Sequence, residues 1–476
     1  MEQHASPLLR CGHSAGDPAA SKHCYRTCVY LALLASAAAY FLAWPVWRAG
    51  FLIEIWPTEG WNGYLQDAAA AGLPIYPPTD SFVGNNYPPL SFYAVGLIGK
   101  VLGADNLFVG RVVSFVALAS IAIEIFLCVR ILVGGRAGAA VGALWYLAMM
   151  ARNSTIYVGT NDPQLAGEAI MGAALVWFLF SHRARRSPVP ALLLMVAAGF
   201  WKHSIIAIPV TAIAWLFITR SPYALRATMI SAAACMIGIA CCILVFGSDF
   251  LPNLLANRHY ALSHVIGNIG HLQWSALALF ICFGWAFSAR KLEAAQFTAL
   301  HIGASLVTCI LQWFGHGVSG NAEFDLILAL GIGIGVVFTR IEAAWFAQRI
   351  GAGWSRDLMI FLLLVRLVVA DRQETALLML SRDFRSSVSS LEQNMRTDAA
   401  RVAAMQGDVA CDIKIICRVA KKPFVVDEFK MEELIATGRA TEAEVASMLR
   451  ARKITPFDHT PSPNAEVSIT HWWRNR

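Results

Sequence analysis

The sequence predicts an α-helical polytopic membrane protein of about eleven spans, followed by a small α/β domain on the extracytoplasmic side. Three observations carry this. The chain is 57% hydrophobic and only 14% charged, against about 45–50% and about 25% in soluble domains. Apolar runs of roughly 15–25 residues recur from Thr27 to Asp371, long enough to cross a hydrocarbon core of about 30 Å, the shorter ones with local thinning. After Asp371 the composition turns polar, so the chain divides into an N-terminal tail (1–27), a transmembrane domain (28–371) and a soluble domain (372–476).

The spans are expected at about 28–47, 108–132, 137–158, 163–181, 189–201, 203–219, 226–247, 272–289, 296–314, 322–340 and 356–371. The run 88–102 begins on Tyr87-Pro88-Pro89 and ends between Lys100 and Asp105, so it reads as a helix lying along the interface. Loop charge supports that division. With 88–102 left out, fifteen basic residues gather on one face: Arg10, Lys22, Arg26, Arg130, Arg136, Arg183, Arg185, Arg186, Arg220, Arg226, Arg290, Lys291, Arg340, Arg349 and Arg356. The other face holds six, namely Arg48, Lys100, Arg111, Arg152, Lys202 and Arg258. The richer face is the cytoplasmic one. The N-terminus is then inside, while the first loop (48–107) and the C-terminal domain are outside, as in a bacterial inner-membrane protein. The first apolar run continues past Ser36-Ala37-Ala38-Ala39 to Trp44 and Trp47, which reads as a retained, interface-anchored helix and not a cleaved signal. Net charge of +7 comes largely from the cytoplasmic loops and does not point to nucleic acid as a partner.

In the exported domain, Leu391–Met405 reads as a helix, Val409–Cys417 and Pro423–Val426 as strands, and Met431–Thr437 and Thr441–Arg452 as helices, the last opened by a Thr441/Glu444 capping box. A binding or positioning role near the active face is expected. Nine of the eleven cysteines fall in spans or in the N-terminal tail, where thiols act as small apolar groups. On a single strand Cys411 and Cys417 stand roughly 20 Å apart, too far for a disulfide.

The chemistry concentrates at the outer face. The first loop opens on Glu59-Gly60-Trp61-Asn62-Gly63-Tyr64 and closes on Gly84-Asn85-Asn86-Tyr87-Pro88-Pro89. Glu59 either favours the positive end of a short helix, 59–71, capped by Thr58, or accepts a proton from an acceptor hydroxyl. Trp61, Tyr64 and Tyr87 either anchor the interface or stack on sugar faces. Asp162 before Pro163 is either a helix N-cap or a second carboxylate delivered to the same face. Lys202 and His203, in a turn between short apolar runs, reach headgroup phosphate or a bound anion. Arg258 and His259 in the loop 248–271, and Asn321 in a later turn, add polar donors. No histidine or cysteine spacing characteristic of a metal site is present.

Together, Glu59 with Trp61-Asn62, Gly72-Leu73-Pro74-Ile75-Tyr76-Pro77-Pro78, Asn86-Tyr87-Pro88-Pro89-Leu90, Asn161-Asp162-Pro163 and Phe200-Trp201-Lys202-His203 resemble the GT-C superfamily over roughly residues 28–340. These are multispan glycosyltransferases of the protein mannosyltransferase and lipid A aminoarabinose transferase type. The resemblance implies a polyprenyl-phosphate sugar donor, catalytic roles for Glu59 and Asp162, and a donor-phosphate contact for Lys202. It departs from the pattern at Thr58, where many relatives carry a second acid, and at Asn85-Asn86, near which the aminoarabinose transferase carries another. These departures remove ligands that a divalent cation would use, and leave metal dependence open.

A polyprenyl-phosphate sugar presents its anomeric carbon at the membrane surface with phosphate as leaving group. Transfer to a glycan, lipid or protein hydroxyl then needs a base on the acceptor, from Glu59 or Asp162, and positive charge on the phosphate, from Lys202 and Arg258. Single displacement inverts the anomeric carbon. A transporter or flippase of lipid-linked sugars predicts internal repeats and ionisable residues along a central path. No repeat is visible, and Glu124 and Glu168 are the only acids well inside spans. A non-catalytic binding protein on the same fold is the third alternative.

Overall fold

The structure, a computed structural model, describes residues 18–369 and 375–459. Helix α1 (Pro18–Arg48) leads into the first loop, which folds as α2 (Thr58–Ala71) and α3 (Leu90–Leu102). There follow α4 (Asn106–Val133), α5 (Arg136–Asn153), α6 (Pro163–Arg183), α7 (Val189–Trp201), α8 (Ala207–Ile218) and α9 (Ala224–Phe246). The short α10 (Phe250–Leu254) and α11 (Leu262–Asn268) precede α12 (Ala276–Ser288), α13 (Glu293–Gln312), α14 (Phe324–Thr339), α15 (Trp345–Ile350) and α16 (Ala352–Val369). Each expected span coincides with one of these helices, and six of the described helices are long and apolar enough to cross a bilayer unaided. Two of the others, α7 with 13 residues and α8 with 12, reach only about 20 and 18 Å at about 1.5 Å per residue. The segments Leu262–Trp274 and Ala276–Ser288 meet at 74°. The chain is an integral membrane protein.

The bundle is organised on α14, every residue of which is buried. Hydrocarbon gives helices no hydrophobic reason to associate, so close van der Waals approach through small residues has to do it. Gly138 and Gly142 of α5 meet α14 backbone so closely that a Cβ would lie 2.4 Å from the Gly335 carbonyl and 2.2 Å from that of Gly331. Helix α3 buries Phe92, Val95, Gly96 and Gly99 and leaves Leu97, Val101 and Leu102 exposed along its other side. Thr58 is the first residue of α2, and Pro57 holds the cap position without a side-chain bond, so the expected Thr58 cap is replaced.

The C-terminal region comprises α17 (Thr375–Leu378), α18 (Arg382–Ala404), β1 (Val409–Cys411), α19 (Lys414–Val419), α20 (Glu428–Ala436), α21 (Glu442–Ala451) and β2 (Thr455–Phe457), with β1 and β2 parallel. The Thr441/Glu444 capping box is formed. Two expectations are corrected. Val409–Cys417 is not one strand: pairing stops at Cys411, the chain turns, and α19 brings Cys417 back, so that Cys411 and Cys417 are disulfide-bonded with Cα atoms 5.8 Å apart. Alternation of apolar residues there reflects burial from two sides of a turn. Pro423–Val426 runs without strand pairing, beside a two-stranded sheet whose members are β1 and β2. The tail residues Arg10 and Cys11 and the boundary at Asp371 lie outside the described residues.

The C-terminal region docks on α2 through glycine. A Cβ on Gly60 would fall 2.6 Å from Lys414 Cβ and 2.8 Å from the Ile415 nitrogen, and one on Gly63 would strike Arg418. Arg418 seals the contact, donating to Asp67 at 2.7 and 2.9 Å and to Asp105 at 3.0 Å. Tyr64 stacks on Phe424 with centroids 5.0 Å apart and donates to the Lys422 carbonyl at 3.1 Å. The sugar-stacking residue expected at Tyr64 is thus engaged in holding the C-terminal region.

Candidate active site

A cavity of about 680 Å³ opens between the first loop, the segment after α10 and the C-terminal region. The start of α2 contributes Trp56, Thr58 and Trp61; the end of the loop contributes Gly84, Asn85, Asn86 and Tyr87; Asn253 comes from α10 and Arg258 from the segment after it; Lys414 comes from α19; and α20 with its flanks contributes Asp427, Phe429 and Arg439.

Below the cavity lies a buried ionic node. Glu59 is fully buried and is not on the cavity wall. One carboxylate oxygen accepts from Arg111 Nε at 2.9 Å and the Asn161 amide at 2.9 Å, the other from Arg111 Nη2 at 2.7 Å and the Ile55 amide at 2.9 Å. The remaining N–H groups of Arg111 reach the carbonyls of Ala49 at 3.2 Å, Phe51 at 2.7 Å and Ile53 at 2.6 Å, so every donor of the guanidinium fork is used. Arg48, also buried, binds the carbonyls of Thr155 and Val158. A charge in this setting is tolerable only when paired and fully hydrogen-bonded. The arrangement fixes the first loop against the second and leaves the Glu59 carboxylate without a free acceptor site. Arg111 is the residue that sequence reasoning missed; a lone arginine near the start of a long apolar helix is a signal that a buried partner exists.

Asp162 is the N-cap of α6: Oδ1 accepts from the Gln164 amide at 2.8 Å, while Oδ2 lies 3.4 Å from the Thr58 hydroxyl that lines the cavity. Lys202, at the end of α7, is 3% exposed and has no hydrogen-bond or ion-pair partner among the described residues. Its Nζ sits 3.2 Å from the centroid of the Tyr87 ring, a cation–π contact that fixes the ammonium without satisfying its three donors. Burial lowers its pKa to about 8, with Arg258 adding to the effect and Asp162 opposing it. Gly167 admits this turn to α6, since a Cβ there would lie 3.0 Å from Lys202 Cβ. Tyr87 is held edge-on by Trp61, with centroids 5.0 Å apart, and Trp61 donates to the Gly84 carbonyl at 3.2 Å.

The other expected residues divide between wall and scaffold. Asn86 and Arg258 line the cavity, Arg258 with its guanidinium 5.5 Å from the Phe429 ring. Asn85 also lines it but is engaged in shaping the loop, donating to the Ile75 carbonyl at 3.0 Å and accepting from the Tyr87 amide at 3.0 Å. Asn62 is buried and donates to the Asn161 carbonyl at 2.9 Å. His203 is exposed beside Lys202 and does not line the cavity. The His259 amide donates to Glu433 at 2.7 Å, and Asn321 accepts from the Ser319 amide at 3.3 Å; neither is on the wall. The α20 wall carried no sequence signal, because its polar residues read as an ordinary solvated helix. Among the described residues no group of three or more histidine, cysteine, aspartate or glutamate side chains is placed to hold a metal ion.

No protein-family model matches this chain. No curated protein matches it either. Solved structures do match. ArnT from Cupriavidus metallidurans bound to undecaprenyl phosphate superposes with a TM-score of 0.54 at 16% identity, covering 91% of this chain and 90% of that one. ArnT from the same organism in the apo state gives a TM-score of 0.54 at 14% identity, covering 95% of each chain. The match runs through the bundle and the C-terminal region alike, and the chain therefore has the fold of these ArnT structures.

Proposed function

We propose that the chain is a glycosyltransferase that moves a sugar from a polyprenyl-phosphate donor to an acceptor hydroxyl at the outer face of the membrane. The observation that carries this reading is Lys202: a buried ammonium with no ion-pair partner among the described residues, fixed on the ring of Tyr87, which together with Arg258 lines the cavity. Burying such a charge is unfavourable unless something binds it, and a phosphate at the membrane surface is the complementary group. The fold adds support, because one of the matching ArnT structures is bound to undecaprenyl phosphate.

In this reading Lys202 and Arg258 stabilise the negative charge that develops on the departing phosphate. Asp162 keeps Lys202 charged, while its Oδ2 and the Thr58 hydroxyl that donates to it meet the donor sugar. Glu59 is a positioning residue that holds the loop through Arg111. Attack by the acceptor oxygen opposite the phosphate inverts the anomeric carbon. The excess of basic residues on one set of loops supports a cytoplasmic N-terminus, with the cavity and the C-terminal domain on the outer side of a bacterial inner membrane. The test is mass spectrometry of lipid extracts from cells with and without the protein. A polyprenyl-phosphate sugar should accumulate when the protein is absent and be discharged when it is restored. An unchanged lipid-linked sugar pool refutes transfer, and a pool that is translocated but not discharged favours a flippase.

A further inference from the structure

Four carboxylates line the cavity, and all come from the C-terminal region: Asp427, Glu428, Glu432 and Glu433. Three are engaged elsewhere or solvated. Glu433 accepts from the His259 amide at 2.7 Å with one oxygen and meets the His316 ring at 2.8 Å with the other. Glu428 is 56% exposed and faces Lys414 at 3.6 Å. Glu432 is exposed. Asp427 differs from these: it is 7% exposed and has no ion pair among the described residues, and its carboxylate is stabilised by the Phe429 amide at the start of the helix it precedes.

Its position is set by the backbone. The Asp427 amide donates to the Phe82 carbonyl at 2.9 Å. Three residues later Lys430 gathers the carbonyls of Thr79, Ser81 and Val83. Asp427 is therefore anchored to the loop that ends in Tyr87, and it lies within electrostatic reach of the Tyr87 hydroxyl, as Asp162 and Arg258 do. The cavity thus has cationic groups for a phosphate and, from a different part of the chain, a shielded carboxylate.

We propose that Asp427, supplied by the C-terminal domain, accepts the proton of the acceptor hydroxyl during transfer, an inference that rests on the polyprenyl-phosphate reading of this cavity. The acceptor oxygen forms its bond to the anomeric carbon as the bond from that carbon to the phosphate oxygen breaks. The electron pair leaves with polyprenyl phosphate, and the hydroxyl proton passes to the Asp427 carboxylate. Burial raises the Asp427 pKa to about 6, with Lys414, the Phe429 amide and Lys430 opposing and Glu428 adding, close to the value that suits a base at neutral pH. The charged and titratable groups around it are Lys414 from α19, Glu428 and Lys430 from α20, and Tyr87 and Arg258 from the other walls. Because the base acts deprotonated, transfer should decline as pH falls through about 6.

The experiment uses full-length protein in nanodiscs, undecaprenyl phosphate as binding probe, and lipid extract from cells lacking the protein as donor source. Asp427→Asn should bind undecaprenyl phosphate as wild type does, yet discharge the donor about 10²–10⁴-fold more slowly. Asp427→Glu should recover part of the rate and keep an acidic limb at shifted pH, and Glu442→Gln, at an exposed position of α21 away from the cavity, should behave as wild type. An Asp427→Asn protein that binds the lipid and discharges donor at the wild-type rate overturns the inference and leaves the lipid reading intact. If Asp427→Asn fails to fold, an Asp427→Glu protein whose acidic limb is unmoved overturns it equally. Failure of the lipid reading looks different: wild type would not bind undecaprenyl phosphate, or Lys202→Ala would bind it unchanged.

Discussion

Replacing Glu59 by glutamine separates a catalytic carboxylate from a structural one. If Glu59 were the general base, Glu59→Gln would preserve the fold and lower turnover by about 10²–10⁴-fold. The geometry predicts the reverse emphasis. The carboxylate accepts four hydrogen bonds, two from Arg111 at 2.7 and 2.9 Å and two from the backbone amides of Ile55 and Asn161, each at 2.9 Å. Glutamine turns one oxygen into an NH₂ group that faces donors, so half of those bonds are lost. Arg111, with its side chain 2% exposed, keeps its charge without a counter-ion. Breaking a buried pair from one side costs about 3–5 kcal/mol, and Glu59→Gln and Arg111→Met should each lose that amount. Removing both charges in Glu59→Gln/Arg111→Met should cost less than the sum of the two single changes, with a coupling of about 0.5–3 kcal/mol. Denaturant unfolding in mixed micelles, followed by tryptophan emission, measures these differences. A Glu59→Gln protein within about 0.5 kcal/mol of wild type, folded but defective in transfer, would refute the positioning role and return Glu59 to the reaction itself.

Lys202→Ala should weaken undecaprenyl phosphate binding by about 10- to 150-fold, the equivalent of about 1.5–3 kcal/mol of charge-assisted hydrogen bonding, with partial recovery in Lys202→Arg; titration by native mass spectrometry reads this directly. Because the folded-state pKa of Lys202 is lowered to about 8 from 10.5, the unfolded chain binds more protons between these values. Unliganded stability should therefore rise with pH across that window while phosphate binding falls, and Lys202→Met should abolish that contribution to the stability slope. Gly60→Val places a side chain against Lys414, which α19 backbone cannot easily yield; it should destabilise docking by about 1–3 kcal/mol, seen as faster limited proteolysis between the bundle and α18. Cysteines introduced singly at Thr79 and Glu442, both exposed, should both react with an impermeant thiol reagent in intact cells, and labelling of only one would break the proposed topology.

Composition and run length were enough to identify a membrane bundle and the helix at each expected span, because lipid forces backbone groups to pair within a segment and so ties span to hydropathy. Local chemistry was equally legible where it is truly local: the Asp162-Pro163 helix start and the Thr441/Glu444 capping box need only neighbouring residues. What sequence left undecided was every feature made by residues far apart. Arg111 lies 52 positions from the carboxylate it neutralises, so the sequence left Glu59 open between a helix-end charge and a base and gave no sign that its oxygens are engaged. The turn after Cys411, which closes the disulfide with Cys417, depends on packing that a strand-like alternation does not encode. Lys202 was visible as a cation in a short turn, but only the fold puts it on the Tyr87 ring with no counter-ion. The carboxylate wall of α20 was invisible, since a charged helix surface looks the same in sequence whether it faces water or a cavity. Hydropathy and capping act over a few residues, and the neutralisation of buried charge acts through space; the first can be read along a chain and the second only in its folded form.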